Sequence, residues 1–226
     1  MNKINRGVVY FTFGAEFPSD LERSVESVRE NTDLDICWIT ESVMEDKSCL
    51  FDYVVTSENT LQHGYHRRAA TIFDKSPFDY TLSLDSDTVV CGNLDFGFKM
   101  AQRHHVAICH APAVYGGTYI RSSAGLNPIE EDLIIYNCGV IFFDKSEETQ
   151  HLFARWQYWN SLSLTGDDQS GLAIAVYESS FNPFVLSKCW NFRPGLQREG
   201  HGPIRIWHGR QPLRKDLVAE KRWWRI

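Results

Sequence analysis

Apolar runs and polar intervals alternate along the first half of the chain regularly enough to set the fold class. Val8-Val9-Tyr10-Phe11-Thr12 is a short β-rich run ending at Gly14, and Ser19-Asp20-Leu21-Glu22 then carries the capping-box pattern that opens a helix. Leu21, Val25 and Val28 recur at helical spacing as far as about Asn31, which predicts one apolar face. Ile36-Cys37-Trp38-Ile39-Thr40 follows as an uninterrupted apolar run, the kind buried on both faces of a parallel sheet. Tyr53-Val54-Val55 predicts a third strand, Tyr65 to Lys75 a helix, and Tyr80-Thr81-Leu82-Ser83-Leu84 a fourth strand. Strands separated by helices favour a doubly wound α/β fold, with a mostly parallel central sheet flanked by helices. Ligands of such folds collect beyond the carboxyl ends of the strands.

The second half is less regular. Leu133 to Phe143 predicts one long or two short strands, Glu147 to Ser161 a helix, Asp168 to Val176 another, and Ile204-Arg205-Ile206-Trp207 a late strand. No internal repeat, low-complexity tract or Pro/Gly-rich linker interrupts the chain. Its 226 residues are therefore expected to form a single domain, 1–226, with a short basic and aromatic tail from about 212 onward.

Composition narrows the function classes. At 43% hydrophobic and 13% aromatic, the chain has enough apolar area for a core, which excludes a mainly disordered reading. A formal charge of -6 argues against a nucleic-acid partner, because duplex binding requires a dense Lys/Arg surface to displace phosphate counterions. Any phosphate bound here is then expected to need a metal. No long apolar run follows Met1-Asn2-Lys3-Ile4-Asn5-Arg6 or approaches the length of a membrane-spanning helix, so a soluble, cytoplasmic protein is expected. The six cysteines, Cys37, Cys49, Cys91, Cys109, Cys138 and Cys189, lack the paired spacing of a zinc site and read as reduced, largely buried thiols. Lys221-Arg222-Trp223-Trp224-Arg225-Ile226 combines cationic and indole groups. That pattern suits a tail docked on the domain, with weak peripheral contact with the anionic inner face of a membrane as the lesser alternative.

Asp85-Ser86-Asp87 directly follows the fourth predicted strand. In extended backbone its two carboxylates point to the same side, close enough to share one divalent cation. The spacing alone is weak evidence, because Asp33-Leu34-Asp35 repeats it beside Asn31-Thr32 in a predicted turn. Position separates the copies: Asp33 and Asp35 precede a strand, where loop carboxylates are solvated, while Asp85 and Asp87 stand where α/β ligands collect.

The segment Pro77-Phe78-Asp79-Tyr80-Thr81-Leu82-Ser83-Leu84-Asp85-Ser86-Asp87-Thr88-Val89-Val90 resembles the region around the DxD motif of glycosyltransferase family 8, the glycogenin and bacterial galactosyltransferase group, and its nucleotide-diphospho-sugar transferase relatives. The resemblance implies a single-domain, Rossmann-like GT-A fold. It also implies retaining transfer of a sugar from a nucleotide-diphosphate donor, a UDP-sugar, to a saccharide, lipid-linked or protein acceptor. Asp85 and Asp87 would then reach a Mn²⁺ or Mg²⁺ ion, with Ser86 near the donor's ribose or sugar. Such an ion neutralises the charge that grows on a departing diphosphate.

Other segments follow the family in order. Arg68, on the helix before the motif, matches a basic residue facing the donor, with Arg67 as its competitor. Asn137-Cys138-Gly139-Val140 is similar to the family's Asn-Ser-Gly-Val, with Cys in place of Ser, and implies that Asn137 and Gly139 line the donor pocket. Gly166-Asp167-Asp168-Gln169 resembles an Asp-Gln pair, which implies that Asp168 binds sugar hydroxyls and Gln169 lies near the anomeric carbon, while Asp167 caps a helix. Trp207-His208-Gly209-Arg210 places His208 as the third metal ligand, and imidazole with two carboxylates suits Mn²⁺ better than Mg²⁺. The chain departs from the family here. Relatives carry a longer His-x-x-Gly-x-x-Lys whose Lys reaches the diphosphate, and this chain offers Arg210, suited to bidentate phosphate contacts. Phe11-Thr12 falls at the strand end where such enzymes begin to cradle the base.

Two other functions fit parts of the sequence. Asp85-Ser86-Asp87-Thr88-Val89 also matches the Asp-x-Asp-x-Thr/Val motif of haloacid dehalogenase-type phosphatases, in which Asp85 would be the nucleophile. That motif normally sits on the first strand, however, and the partner motif after Gly166-Asp167 lacks its last acid. A non-catalytic protein binding sugar nucleotides would need the same contacts without turnover.

Overall fold

The computed structural model describes residues 5–14, 16–58, 64–111, 133–162, 168–194, 197, 202–214 and 218. Asp167, expected to cap a helix, and the basic tail segment Lys221 to Ile226 lie outside the described residues. The elements before the motif are β1 (Arg6–Thr12), α1 (Leu21–Asn31), β2 (Asp35–Thr40), the short α2 (Glu45–Ser48), β3 (Tyr53–Thr56), α3 (Gly64–Lys75) and β4 (Tyr80–Leu84). After it come β5 (Thr88–Val90), α4 (Asp95–His104), β6 (Val106–His110), β7 (Tyr136–Asp144), α5 (Glu147–Ser161), α6 (Gln169–Ser179), β8 (Phe184–Leu186) and β9 (Ile206–His208).

Seven strands form one sheet in the order β3-β2-β1-β4-β7-β6-β8. The first four run parallel, β7 lies antiparallel to both β4 and β6, and β8 is parallel to β6. The period-two geometry of strands sends alternate residues to opposite faces. Val8, Tyr10, Trp38, Leu82 and Leu84 pack with Val25 and Val28 of α1 and Phe98 of α4. Val9, Cys37 and Ile39 face the other way, onto Ile72 of α3, Phe153 and Trp156 of α5 and Leu172 of α6. Every residue of β7 is buried, as befits a strand covered by helices on both faces. Burying each large apolar side chain stabilises by about 1.5–3 kcal/mol, so these two layers hold the sheet rigid beneath whatever its edges carry.

The chain winds outward from β1 through β2 to β3, then crosses back through α3 to place β4 on the other side of β1. The carboxyl ends of β1 and β4 thus flank a topological switch point, where open α/β sheets leave a crevice. Apart from the sheet, β5 and β9 pair as a two-stranded antiparallel ribbon with Thr88 opposite His208.

Several expectations need correction. The capping box at Ser19 does not form: Asp20 occupies the N-cap of α1 without a side-chain cap, because its Oδ2 instead accepts a charged hydrogen bond from Arg210 Nε at 2.8 Å. Residues 133–135 precede the strand, leaving one strand where two were allowed. The late strand begins at Ile206, two residues after Ile204, and α6 continues past Val176 to Ser179. α4, β5, β6 and β8 escaped the sequence pattern, since β5 and β8 have only three residues each and α4 contains Gly97 among few apolar positions. As expected of reduced thiols, no disulfide joins the cysteines; Cys37, Cys109, Cys138 and Cys189 are buried, while Cys49 is exposed. Among the described residues no helix is long and apolar enough to cross a membrane.

Candidate functional site

Asp85 leaves β4 at the switch point, its N–H donating to Gly139 O of the neighbouring strand at 2.9 Å. A buried chain of hydroxyls secures the turn that follows. Thr88 Oγ1 donates to Asp85 O at 2.8 Å and therefore accepts from Ser24 Oγ at 3.0 Å, which in turn accepts from Tyr10 OH at 2.7 Å. Burial pushes the Tyr10 phenol well above its ordinary pKa, so it remains a donor at any physiological pH. The β5–β9 ribbon then lays His208 beside the turn, and Gly209, at a φ of 129°, donates its N–H to Asp87 O at 2.8 Å. That φ strains any residue with a Cβ.

Asp85, Asp87 and His208 consequently offer ligand atoms that all lie within 4.8 Å of one another, a group that could hold a metal ion. His208 Nε2 stands 3.2 Å from Asp87 Oδ1 and 3.5 Å from Asp85 Oδ2. Gly139 makes the approach feasible, because a Cβ there would collide with His208 Cε1 and come within 2.6 Å of Asp85 Oδ2. Burial alone would raise the carboxyl of Asp87. When the His208 ring is protonated, its hydrogen bond and charge, then the charge of Arg193, outweigh burial and hold Asp87 below the usual carboxylate range. Two carboxylate oxygens and, in the neutral ring, an imidazole lone pair therefore converge as acceptors, and such a set fits a divalent cation.

The adjacent arginines of α3 diverge, as neighbouring helix positions must. Arg67 pairs with Glu41 and donates to Glu58 O at 2.7 Å. Arg68 is buried and turns to the aspartates, with Nη2 2.7 Å from Asp85 Oδ1 and Nη1 3.4 Å from Asp168 Oδ2. Burial works against its charge, but Asp85 and Asp168 prevail and its pKa is raised.

These groups open into a cavity of about 400 Å³ lined by Phe11, Thr12, Arg68, Asp85, Ser86, Asp87, Arg193, His208 and Arg210, together with Phe13 and Pro18. Thr12 Oγ1 accepts from Trp38 Nε1 at 2.8 Å, which fixes the end of β1. The Arg210 side chain is 79% exposed and held by Asp20. Asn137, Gly139, Asp168 and Gln169, all expected at the donor, are not among the lining residues. Asn137 and Gly139 stand behind the ligands, Asp168 acts on the wall through Arg68, and Gln169 is half-buried at the first turn of α6. The sequence reading missed Asn191 and Arg193 altogether. They flank His208 from the segment after a 3-10 turn, Lys188–Trp190, and Asn191-Phe192-Arg193 carries no periodicity or motif to mark it.

No protein-family model and no curated protein sequence matches the chain. Solved structures do. The galactosyltransferase LgtC, in complex with donor and acceptor sugar analogs, is 13% identical with a TM-score of 0.66, the match covering 94% of this chain and 91% of that one. Mouse xyloside xylosyltransferase 1 in its apo form is 13% identical with a TM-score of 0.61, covering 90% of this chain and 97% of that one. An active-site mutant of LgtC superposes with a TM-score of 0.65 at 13% identity, covering 94% and 91%. The class defined is therefore one of architecture: the chain has the GT-A fold of these glycosyltransferases. Within that class it resembles the galactosyltransferase and xylosyltransferase structures over nearly its whole length.

Proposed function

We propose that the chain is a metal-dependent glycosyltransferase that moves a sugar from a nucleotide-diphosphate donor to an acceptor with retention. The observation that carries this reading is the convergence of Asp85, Asp87 and His208 at the mouth of a cavity on the switch point of a GT-A sheet. Asp85, Asp87 and His208 hold Mn²⁺, which when bound neutralises charge on the leaving diphosphate. Arg193 and Arg210, both on the cavity wall, supply further positive charge to the phosphates, and Ser86 lies where the ribose or sugar enters. Phe11 and Thr12, at the end of β1, offer an apolar face and a fixed edge for the base of a UDP-sugar. Arg68 neutralises Asp85 and Asp168 and aims the Asp85 carboxylate at the cavity, with Asp168 held behind that wall. Asn137 and Gly139 shape the ligand set rather than touch the donor.

The fourth-strand position of Asp85, its ion pair with Arg68 and the GT-A architecture favour this reading over a phosphatase with Asp85 as nucleophile. The test is calorimetry with a panel of nucleotide sugars, with Mn²⁺, Mg²⁺ or chelator, followed by measurement of released nucleotide. Mn²⁺-dependent binding and release of nucleoside diphosphate are expected. Binding without turnover would leave a sugar-nucleotide-binding protein, and release of phosphate from a phosphomonoester instead would overturn the proposal.

A further inference from the structure

We propose that Asn191 is a positioning residue for the metal group: with Asn137 behind it, Asn191 holds the neutral His208 ring as the Nδ1–H tautomer and so keeps the Nε2 lone pair for a cation. The proposal rests on the reading of Asp85, Asp87 and His208 as a cation site.

The direction of every hydrogen bond in the array follows from one backbone amide. Gly139 N–H can only donate, so the atom 3.0 Å from it is Asn137 Oδ1. The group 2.8 Å from that oxygen must in turn be a donor, which makes it Asn191 Nδ2. Asn191 Oδ1 is then the atom that meets His208 Nδ1 at 2.7 Å, and a carboxamide oxygen only accepts, so the ring proton sits on Nδ1. In the neutral ring Nε2 is left with its lone pair, on the side of Asp87 and Asp85.

Arg193 suits the same tautomer in the neutral ring. Its guanidinium is a donor only, and Nη1, 3.3 Å from His208 Nε2, can form a hydrogen bond there only to the lone pair of the neutral ring. Both residues reach the ring because the chain after the turn runs beside β9, Phe192 bridging Trp207 in parallel. It is also stitched to β9: Phe192 N–H donates to Ile206 O at 2.9 Å and His208 N–H to Phe192 O at 2.8 Å. Asn191 and Arg193, on either side of Phe192, meet opposite nitrogens of a single imidazole. Asn191 is 3% exposed and His208 2%, which denies water access to rearrange the pair.

The test uses the full chain labelled with ¹⁵N-histidine, the His208 ring nitrogens being read by NMR at a pH where the ring is neutral, before Mn²⁺ is titrated by calorimetry. Wild type should show a protonated Nδ1 and bind Mn²⁺. Asn191→Leu, which removes the acceptor at similar volume, should move the proton toward Nε2 and weaken Mn²⁺ by about 10–100-fold, with the circular dichroism spectrum kept. Asn191→Asp retains an acceptor and should keep the Nδ1–H ring, which guards against a Leu variant that fails to fold. A wild-type ring protonated on Nε2, or a Leu variant with unchanged tautomer and Mn²⁺ affinity, would overturn the role of Asn191 alone. An Nδ1–H ring in a wild type that takes no Mn²⁺ would overturn the cation reading on which the proposal rests.

Discussion

The molecule carries the same tripeptide spacing at both ends of its sheet, and only one copy becomes part of a cluster. Asp33 and Asp35 lie exposed at the amino ends of β1 to β3, beside a cavity of about 890 Å³. The cavity at Asp85 and Asp87 is less than half that size, at about 400 Å³. Size does not define the site. At the larger cavity the ion pair lies in the open, Arg6 meeting Asp95 at 2.7 Å with both half exposed. Around Asp85 and Asp87 the structure instead brings a buried imidazole, a buried guanidinium and a glycine that admits them. Desolvation raises the electrostatic stakes there, because a buried charge must be partnered while a surface charge is screened by water.

The comparison breaks most sharply through the aspartates themselves. Asp87→Ala should lower donor turnover roughly 100–1000-fold, by analogy with losing one group that stabilises transition-state charge, and should abolish Mn²⁺ binding in calorimetry. Asp33→Ala, at the same spacing, should leave both untouched. Equal losses in the two variants would sink the distinction between the copies.

Arg68→Met comes next. It strands the carboxylates of Asp85 and Asp168 around a vacated buried charge, and urea unfolding should register a loss of about 3–5 kcal/mol. Its neighbour offers a control of a different kind: the partners of Arg67 are Glu41 and Glu58, so Arg67→Met should leave Mn²⁺ affinity in place even if it costs stability.

A smaller effect is expected from Gly139→Ala, whose new methyl group must displace His208 and Asp85. Denaturant midpoints should reveal a loss of about 1–3 kcal/mol, with weaker Mn²⁺ binding because the ligands are pushed apart. Unaltered binding would mean that the ligand set tolerates a wider spacing than the geometry implies.

Least of all, Asp35→Asn should change stability by no more than about 0.5 kcal/mol, since its side chain lies on the surface. Thiol alkylation sharpens the same contrast between surface and interior. Cys49 should react in the native protein, whereas Cys37, its thiol pushed up to about 12 by burial, should react only after unfolding.

Much of the fold was legible because it is written in local periodicity. The run from Val8 to Thr12, the spacing of Leu21, Val25 and Val28, and the span Glu147 to Ser161 each reflect burial of one strand or one helix face, which neighbouring residues report on directly. The elements that escaped are short or weakly patterned, such as β5 and β8. Asp85, Asp87, Arg68 and His208 were singled out from motif and position, and the structure gathers them. Asn137 was given a place in the pocket and is found instead behind His208, linked to it through Asn191.

Local sequence was enough to set the order of most strands and helices, the apolar layers and the strand end from which Asp85 projects, because each depends on residues within a few positions of one another. How closely His208 approaches the aspartates, that Asn191 and Arg193 flank its ring, and which nitrogen of the neutral ring keeps its lone pair were decided in three dimensions alone. Those outcomes depend on β9 pairing with β5 and on residues 191–193 lying beside β9, contacts between segments far apart in the chain that no local pattern encodes.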